Sequence, residues 1–327
     1  MAARRRRRAG KLNGQSGMAE RLIHARSGGA FSLGTKLTVA APYLWLLGFF
    51  FVPFIIVVKI SLSETALAQP PYAPVLDVAA GWQGIQDFFA GLSFANYLTI
   101  AADNLYVFSY LKSLKVAAVS TAILLLCGLP LAYAMARAPR AVRPLLVTLV
   151  VLPFWTSFLI RVYAWINILQ RDGLLNQVLM WLGLIDQPTT WLATDTAVYI
   201  GLVYSYLPFM ALPLYASLEK LDETLLEAAA DLGCPRWKAF VVITIPLALP
   251  GLGAGALLCF IPIVGEFVIP DLLGGSDAVM IGRTLWMDFF ANRDWPVASA
   301  VAVMLVGLLM VPIAVYQHLQ TREIEGR

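Results

Sequence analysis

The chain has 327 residues, 59% of them apolar and only 13% charged, with a mean hydropathy of +0.74. A water-soluble domain carries roughly a quarter charged residues, so soluble-enzyme, DNA-binding and disulfide-scaffold readings are excluded. The formal net charge is +4, and its uneven placement along the chain matters more than its size.

Residues 1–36 form a basic tail with Arg4 to Arg8, Lys11, Arg21, Arg26 and Lys36 against Glu20 alone. No aromatic residues interleave with the Arg4–Arg8 run, so an anchor to anionic lipid is expected there rather than a nucleic-acid contact. Six runs free of Asp, Glu, Lys and Arg follow: Leu37–Val58, Val116–Ala136, Pro144–Ile160, Thr196–Leu218, Ala239–Gly265 and Trp295–Gln317. A hydrocarbon core of ~30 Å takes ~20 helical residues to cross. Five runs reach that length, and the third makes up its deficit beyond Arg161, through Val162–Gln170. The expected architecture is an all-α membrane protein with six transmembrane helices. Its first helix covers 37–60, an aromatic external loop covers 61–109, and a five-helix core covers 110–317. A short tail, 318–327, ends the chain. Prolines and glycines stud the runs, and Gly251, Gly253 and Gly255 give one of them a small-residue face that permits close helix approach.

Positively charged short loops stay in the cytoplasm. With the N-terminus inside, the four inside segments hold nine, three, three and two basic residues, which is 17 of the 24. The opposite loops hold three basic residues against eleven acidic ones, a net −8. Both termini are therefore expected in the cytoplasm. Cys127, Cys234 and Cys259 have no metal-ligand spacing, and the two histidines, His24 and His318, lie near the ends, so no metal site is expected.

The 219–246 connection is the most informative segment. Asp222 or Thr224 can cap a helix in which Leu221, Leu225, Ala228 and Leu232 make one apolar stripe. Gly233 is placed for a left-handed C-terminal cap, and Pro235 for the start of a second short helix. Such a protruding amphipathic pair suits docking. Glu227-Ala228-Ala229, then Gly233, then Ile243-Thr244-Ile245-Pro246 resembles the EAA loop of ABC-importer permeases, with Ile245 in place of the family's Leu. The resemblance implies a type I ABC importer permease fold. It also implies that Glu227, Ala228, Ala229 and Gly233 couple the chain to an ATPase.

Two further segments resemble the putrescine/spermidine permeases: Leu152 to Trp165 (LPFWTSFLIRVYAW) and Gly265 to Gly275 (GEFVIPDLLGG). Arg161 and Glu266 are the charges set deepest in the spans, and such groups are costly enough to need a partner or a wet cavity. Two readings stay open for Glu266. It could pair with Arg161, or it could meet a substrate ammonium together with Asp271, with Tyr163, Trp165, Tyr204 and Tyr206 offering ring faces.

The chain has no phosphate-cradling Gly-x-x-x-x-Gly-Lys-Ser/Thr loop and no nucleophile–base constellation, so it is expected not to be an enzyme and to hold no cofactor. The resemblance implies that ATP and Mg belong to a partner ATPase dimer. It further implies a second permease subunit in a heterodimer, a periplasmic substrate-binding protein, and residence in the bacterial inner membrane. Other small solutes (sulfate, iron, thiamine) are alternative cargoes. An ion-coupled secondary transporter would leave the EAA loop unexplained.

Overall fold

Without water to bond to, backbone groups in a bilayer must be satisfied within a helix, and the apolar runs obey that constraint. The computed structural model describes residues 33–75, 77 and 81–325; the Arg4–Arg8 run lies outside them. Contacts divide the chain into one group up to Val57 and another from Val58 onward.

Helix α1 (Thr38–Ser61) is apolar and almost wholly exposed. It contains a π-helical turn at Leu47–Phe51 and stacks Trp45 on Phe49 with centroids 4.1 Å apart. Strands β1 (Glu64–Thr65) and β2 (Tyr72–Ala73) form a small antiparallel hairpin, followed by α2 (Gly81–Ala90) and α3 (Ala95–Ala102). Among the described residues, the expected loop thus carries a hairpin and two short helices. Asn96 Nδ2 fastens it by donating to the carbonyls of Ser61 and Ser63, at 2.9 and 2.8 Å.

Helix α4 (Asn104–Arg137) begins earlier than the expected 110, because Asp103 caps it by accepting from the Leu105 N–H at 2.8 Å. Helices α5 (Arg143–Trp155) and α6 (Phe158–Leu169) meet at 87°. This corrects the reading of one continuous span. Pro153 sits in a tight 3₁₀ turn, Thr156 is extended, and Thr156 Oγ1 donates to the Pro153 carbonyl at 2.8 Å, ending the helix. Then come α7 (Leu174–Trp181), α8 (Asp195–Leu218), α9 (Thr224–Asp231), α10 (Arg236–Val264), α11 (Val268–Leu273), α12 (Ile281–Trp286) and α13 (Trp295–Glu325). Among the described residues five helices are long and apolar enough to cross a membrane, and the count is six when the bent pair is taken as one broken span.

The core lies where α4, α8 and α10 meet. Lipid tails are as apolar as leucine, so helices associate through close packing rather than through escape from water. Met210 of α8 is fully buried and takes the space that two glycines leave open. A Cβ on Gly128 of α4 would stand 2.8 Å from Met210 Cγ, and one on Gly255 of α10 would stand 2.9 Å from its Sδ.

Polar bonds hold the other flank of α4. Tyr106, Ser109, Tyr110 and Ser113 fall at 0, +3, +4 and +7, one stripe. Tyr106 Oη donates to Asp288 Oδ2 at 3.0 Å, Tyr110 Oη to the Val301 carbonyl at 2.7 Å, and the Ile281 N–H to Ser113 Oγ at 2.8 Å. Burial pushes the Asp288 carboxyl above the usual carboxylate range, while hydrogen bonds from Asn292 and Tyr106 pull it back.

The packing around Met210 is directly testable. Gly255→Leu should overfill the junction and cost about 1–3 kcal/mol, read as a lower melting temperature in detergent. Gly307→Leu, where a Cβ meets nothing within 4 Å, should leave the transition in place. Equal effects at the two positions would contradict the packing role of Gly255.

Candidate functional site

Two groups of residues carry chemistry, and α8 and α10 run between them. At one end stands the connection 219–235. Asp222 Oδ1 accepts from the Thr224 N–H at 3.0 Å and so starts α9, which makes Asp222 the capping residue of the two candidates. Gly233 ends it with φ +74°. The Cys234 N–H reaches back to the Ala229 carbonyl at 2.9 Å, and the Gly233 N–H reaches the Ala230 carbonyl at the same distance. This paired closure satisfies two terminal carbonyls and needs a left-handed residue. A Cβ on Gly233 would meet nothing within 4 Å, so the requirement there is torsional, not steric.

Pro235 precedes the next helix rather than opening it, and that helix is not a separate short element. It begins at Arg236, passes through a π-helical turn at Phe240–Thr244 and continues as α10. The expected second coupling helix is therefore the near end of a span. Glu227, Ala228 and Gly233 are exposed, whereas Ala229 is buried where α9 packs on the start of α10. Leu221 of the predicted apolar stripe packs on the core, but the rest of it faces outward, with Leu225 45% and Leu232 88% exposed; Trp237 is also exposed, to 71%. The spacing identified the stripe but not its direction, because amphipathicity alone does not say which surroundings an apolar face meets. Two ion pairs tie this connection to the basic 137–143 turn, Arg137–Glu223 at 3.2 Å and Arg143–Glu219 at 3.4 Å.

At the other end of α10, Glu266 follows the helix terminus. Its Oε2 accepts from Tyr206 Oη at 2.8 Å, and its Oε1 accepts from the N–H groups of Phe267 and Val268 at 3.1 and 3.0 Å. Glu266 therefore anchors the start of α11 to α8. No ion pair joins it to Arg161. The Arg161 guanidinium lies over the rings of Phe154 and Phe158, 4.7 and 5.8 Å from their centroids, and among the described residues nothing bonds its Nε or Nη1. A chain of rings separates the two charges: Phe154 packs edge-on against Phe209 at 5.2 Å, and Phe209 lies 6.0 Å from Tyr206. Asp271 is also engaged, with Oδ1 2.9 Å from Arg283 Nε.

The four aromatic candidates divide. Trp165 and Tyr204 meet edge-to-face at 5.4 Å, Tyr206 holds Glu266, and Tyr163 stands exposed. Tyr204 and Tyr206 are two residues apart on a helix and so point to different sides. Phe154, Phe209, Phe267, Trp286 and Phe290 were not singled out from the sequence. Aromatic residues are common in spans, and only their convergence in space marks these.

Residues 125–324 match the family described as binding-protein-dependent transport system inner membrane components. The spermidine/putrescine transport system permease protein PotB of Escherichia coli (strain K12) is 45% identical over 221 residues, which cover 68% of this chain and 80% of that protein. Its namesake in Haemophilus influenzae is 38% identical over 293 residues, 89% of this chain and 96% of that one. Among solved structures, a bacterial ABC transporter that imports the acidic polysaccharide alginate superposes with a TM-score of 0.67 at 18% identity, covering 88% of this chain and 94% of that one. At that identity the likeness is one of fold. Both residue groups described above fall inside the family match. The chain is a multi-pass inner-membrane transport component rather than an enzyme, and it belongs to the binding-protein-dependent inner-membrane permeases of ABC importers.

Proposed function

We propose that the chain forms half of the membrane pathway of an importer for putrescine and spermidine. The observation that carries this reading is identity of 38–45% to permeases named for those two amines, over up to 89% of the chain. Carboxylates and aromatic rings gathered beyond the far end of α10 suit a polycation. A second permease chain completes the pathway as a heterodimer, a periplasmic binding protein delivers the substrate, and an ATPase dimer supplies ATP, Mg and hydrolysis. The 219–246 connection faces the cytoplasm with both termini, and the ion pairs Arg137–Glu223 and Arg143–Glu219 support placing the two basic turns on one side. Glu227, Ala228, Ala229 and Gly233 couple the pathway to the ATPase, with Leu225, Leu232 and Trp237 adding apolar contact. Glu266 and Asp271 meet the ammonium groups, and Tyr163, Trp165, Tyr204 and Tyr206 line the route.

Cells that lack other polyamine uptake and express the complete transporter should accumulate radiolabelled putrescine or spermidine only when this chain is present. Absence of uptake for both amines would refute the substrate. Within that assay Glu266→Gln should assemble normally yet lose uptake about tenfold or more, while Tyr206→Phe retains most of it. Normal uptake by Glu266→Gln would remove Glu266 from the pathway.

Gly233→Val should weaken co-purification of the ATPase while the chain still inserts, since a β-branched residue resists the left-handed region. Recovery of the ATPase at wild-type yield would count against Gly233 as a coupling residue. In intact cells, on a cysteine-free background, Asp186→Cys should react with an impermeant thiol reagent, and Arg140→Cys and Arg236→Cys should not. The reverse pattern would invert the topology and with it the coupling assignment.

A further inference from the structure

Helices α2 and α3 precede residue 125, where the family match begins, and both carry more apolar surface than the chain covers. Around α2, Gly84 is buried and Ile85 and Phe88 are half-buried, so that flank packs on the protein. Trp82 and Phe89 lie further round, seven residues apart on one side, and are 71% and 66% exposed. Gln83 and Asp87 take a third side, which is polar and exposed. Helix α3 repeats the arrangement: Ile100 is buried, while Phe94 at its start and Leu98 one turn later are exposed.

Both helices are tied to the last turn of α1. Asn96 Nδ2 holds the carbonyls of Ser61 and Ser63, and Tyr97 Oη shares a hydrogen bond of 2.6 Å with Ser61 Oγ. On the α2 side, Lys59 Nζ lies over the Tyr72 ring at 4.0 Å and the Phe88 ring at 5.3 Å. Span α1 ends at Ser61, and the next span, α4, starts at Asn104. The two short helices therefore stand at the level where a span leaves the hydrocarbon.

We propose that α2 and α3 lie in the plane of the bilayer as an interfacial pad, seating Trp82, Phe89, Phe94 and Leu98 where headgroups meet acyl chains. In the orientation given above the leaflet is the outer one, but the lipid contact itself does not depend on orientation. Three observations carry the proposal. First, the bonds from Asn96 and Tyr97 and the Lys59 contacts fix the height of both helices at the end of a span. Second, α2 has one flank on protein, one apolar flank bare and one polar side, which is the sidedness of a helix at a membrane surface. Tryptophan is enriched at that depth. Third, the bare apolar surface continues across Asp103 onto the first turns of α4, where Leu105 and Phe108 are exposed. Between Gly81 and Ala102 the sole charged residue is Asp87. Attachment therefore comes from apolar burial and needs no anionic lipid.

The test uses the complete transporter, cysteine-free and reconstituted in nanodiscs of phosphatidylcholine, with a nitroxide on one introduced cysteine at a time. Paramagnetic resonance then compares its collisions with oxygen, which concentrates in lipid, and with a water-soluble nickel chelate. At Phe89→Cys and Leu98→Cys oxygen collisions should exceed nickel collisions several-fold, and at Gln83→Cys and Asp87→Cys the order should reverse. Frequent nickel collisions at Phe89→Cys or Leu98→Cys would place the pad in water and overturn the proposal. Few collisions with either reagent at those sites would mean that protein covers them, and would overturn it equally. The cover is then the second permease chain, or the binding protein if the loss appears only on its addition. Lipid-like values at Asp87→Cys as well would mean that α2 is immersed rather than in plane, and would also overturn it. Transport does not enter the measurement, so failure here leaves the polyamine reading untouched.

Discussion

Everything in the second contact group depends on how closely α4, α8 and α10 approach one another. Met210 fixes that approach, because it fills the space beside Gly128 and Gly255 and leaves no slack on either side. Tyr206 lies one turn before Met210 on the same face of α8, so the junction also sets where its hydroxyl meets Glu266. Towards the opposite end the same two helices leave the junction and are joined by the 219–235 connection. Both residue groups thus hang from one packed point.

Charge is arranged around that frame with a clear division. The basic turns are bound to acidic neighbours at the end that carries the EAA loop. At the other end, each carboxylate considered for substrate is already engaged, Glu266 by a phenol and two backbone donors, Asp271 by Arg283. The structure is therefore of a site whose negative charge is covered. Arg161 is the opposite case, a positive charge with buried donors lacking a partner, stabilised by ring faces instead. Cation–π contacts of this kind offset part of the cost of desolvation without fixing a direction for the charge.

How far the sequence reaches can be followed residue by residue. Charge-free runs located every long helix, since length and polarity are sufficient for a span. The turn at Gly233 was legible because few residues other than glycine accept a positive φ at a helix end. The 87° break at Thr156 was not, because counting charges ignores whether Pro153 kinks a helix or ends it. The pairing of Glu266 was left open for a different reason. Arg161 is its evident counter-charge in sequence, but Tyr206 and the start of α11 reach it first, and only the fold decides which neighbour wins. Likewise the Tyr106, Ser109, Tyr110, Ser113 stripe is periodic and polar, yet nothing in one sequence says that α12 and α13 supply its partners.

The continuity of α10 from Arg236 to Val264 has a mechanical consequence. At 1.5 Å per residue, the stretch from Trp237 to Val264 is about 40 Å long. Moved as one body, a helix of that length turns a tilt of ~5° at one end into a displacement of ~3.5 Å at the other, and the π-helical turn at Phe240–Thr244 with Pro250 and Pro262 marks where it can bend instead. The bond between Tyr206 Oη and Glu266 is 2.8 Å long, and hydrogen bonds fail beyond about 3.5 Å. The exposed indole of Trp237 and the carboxylate bound by Tyr206 thus stand at the two ends of one continuous helix.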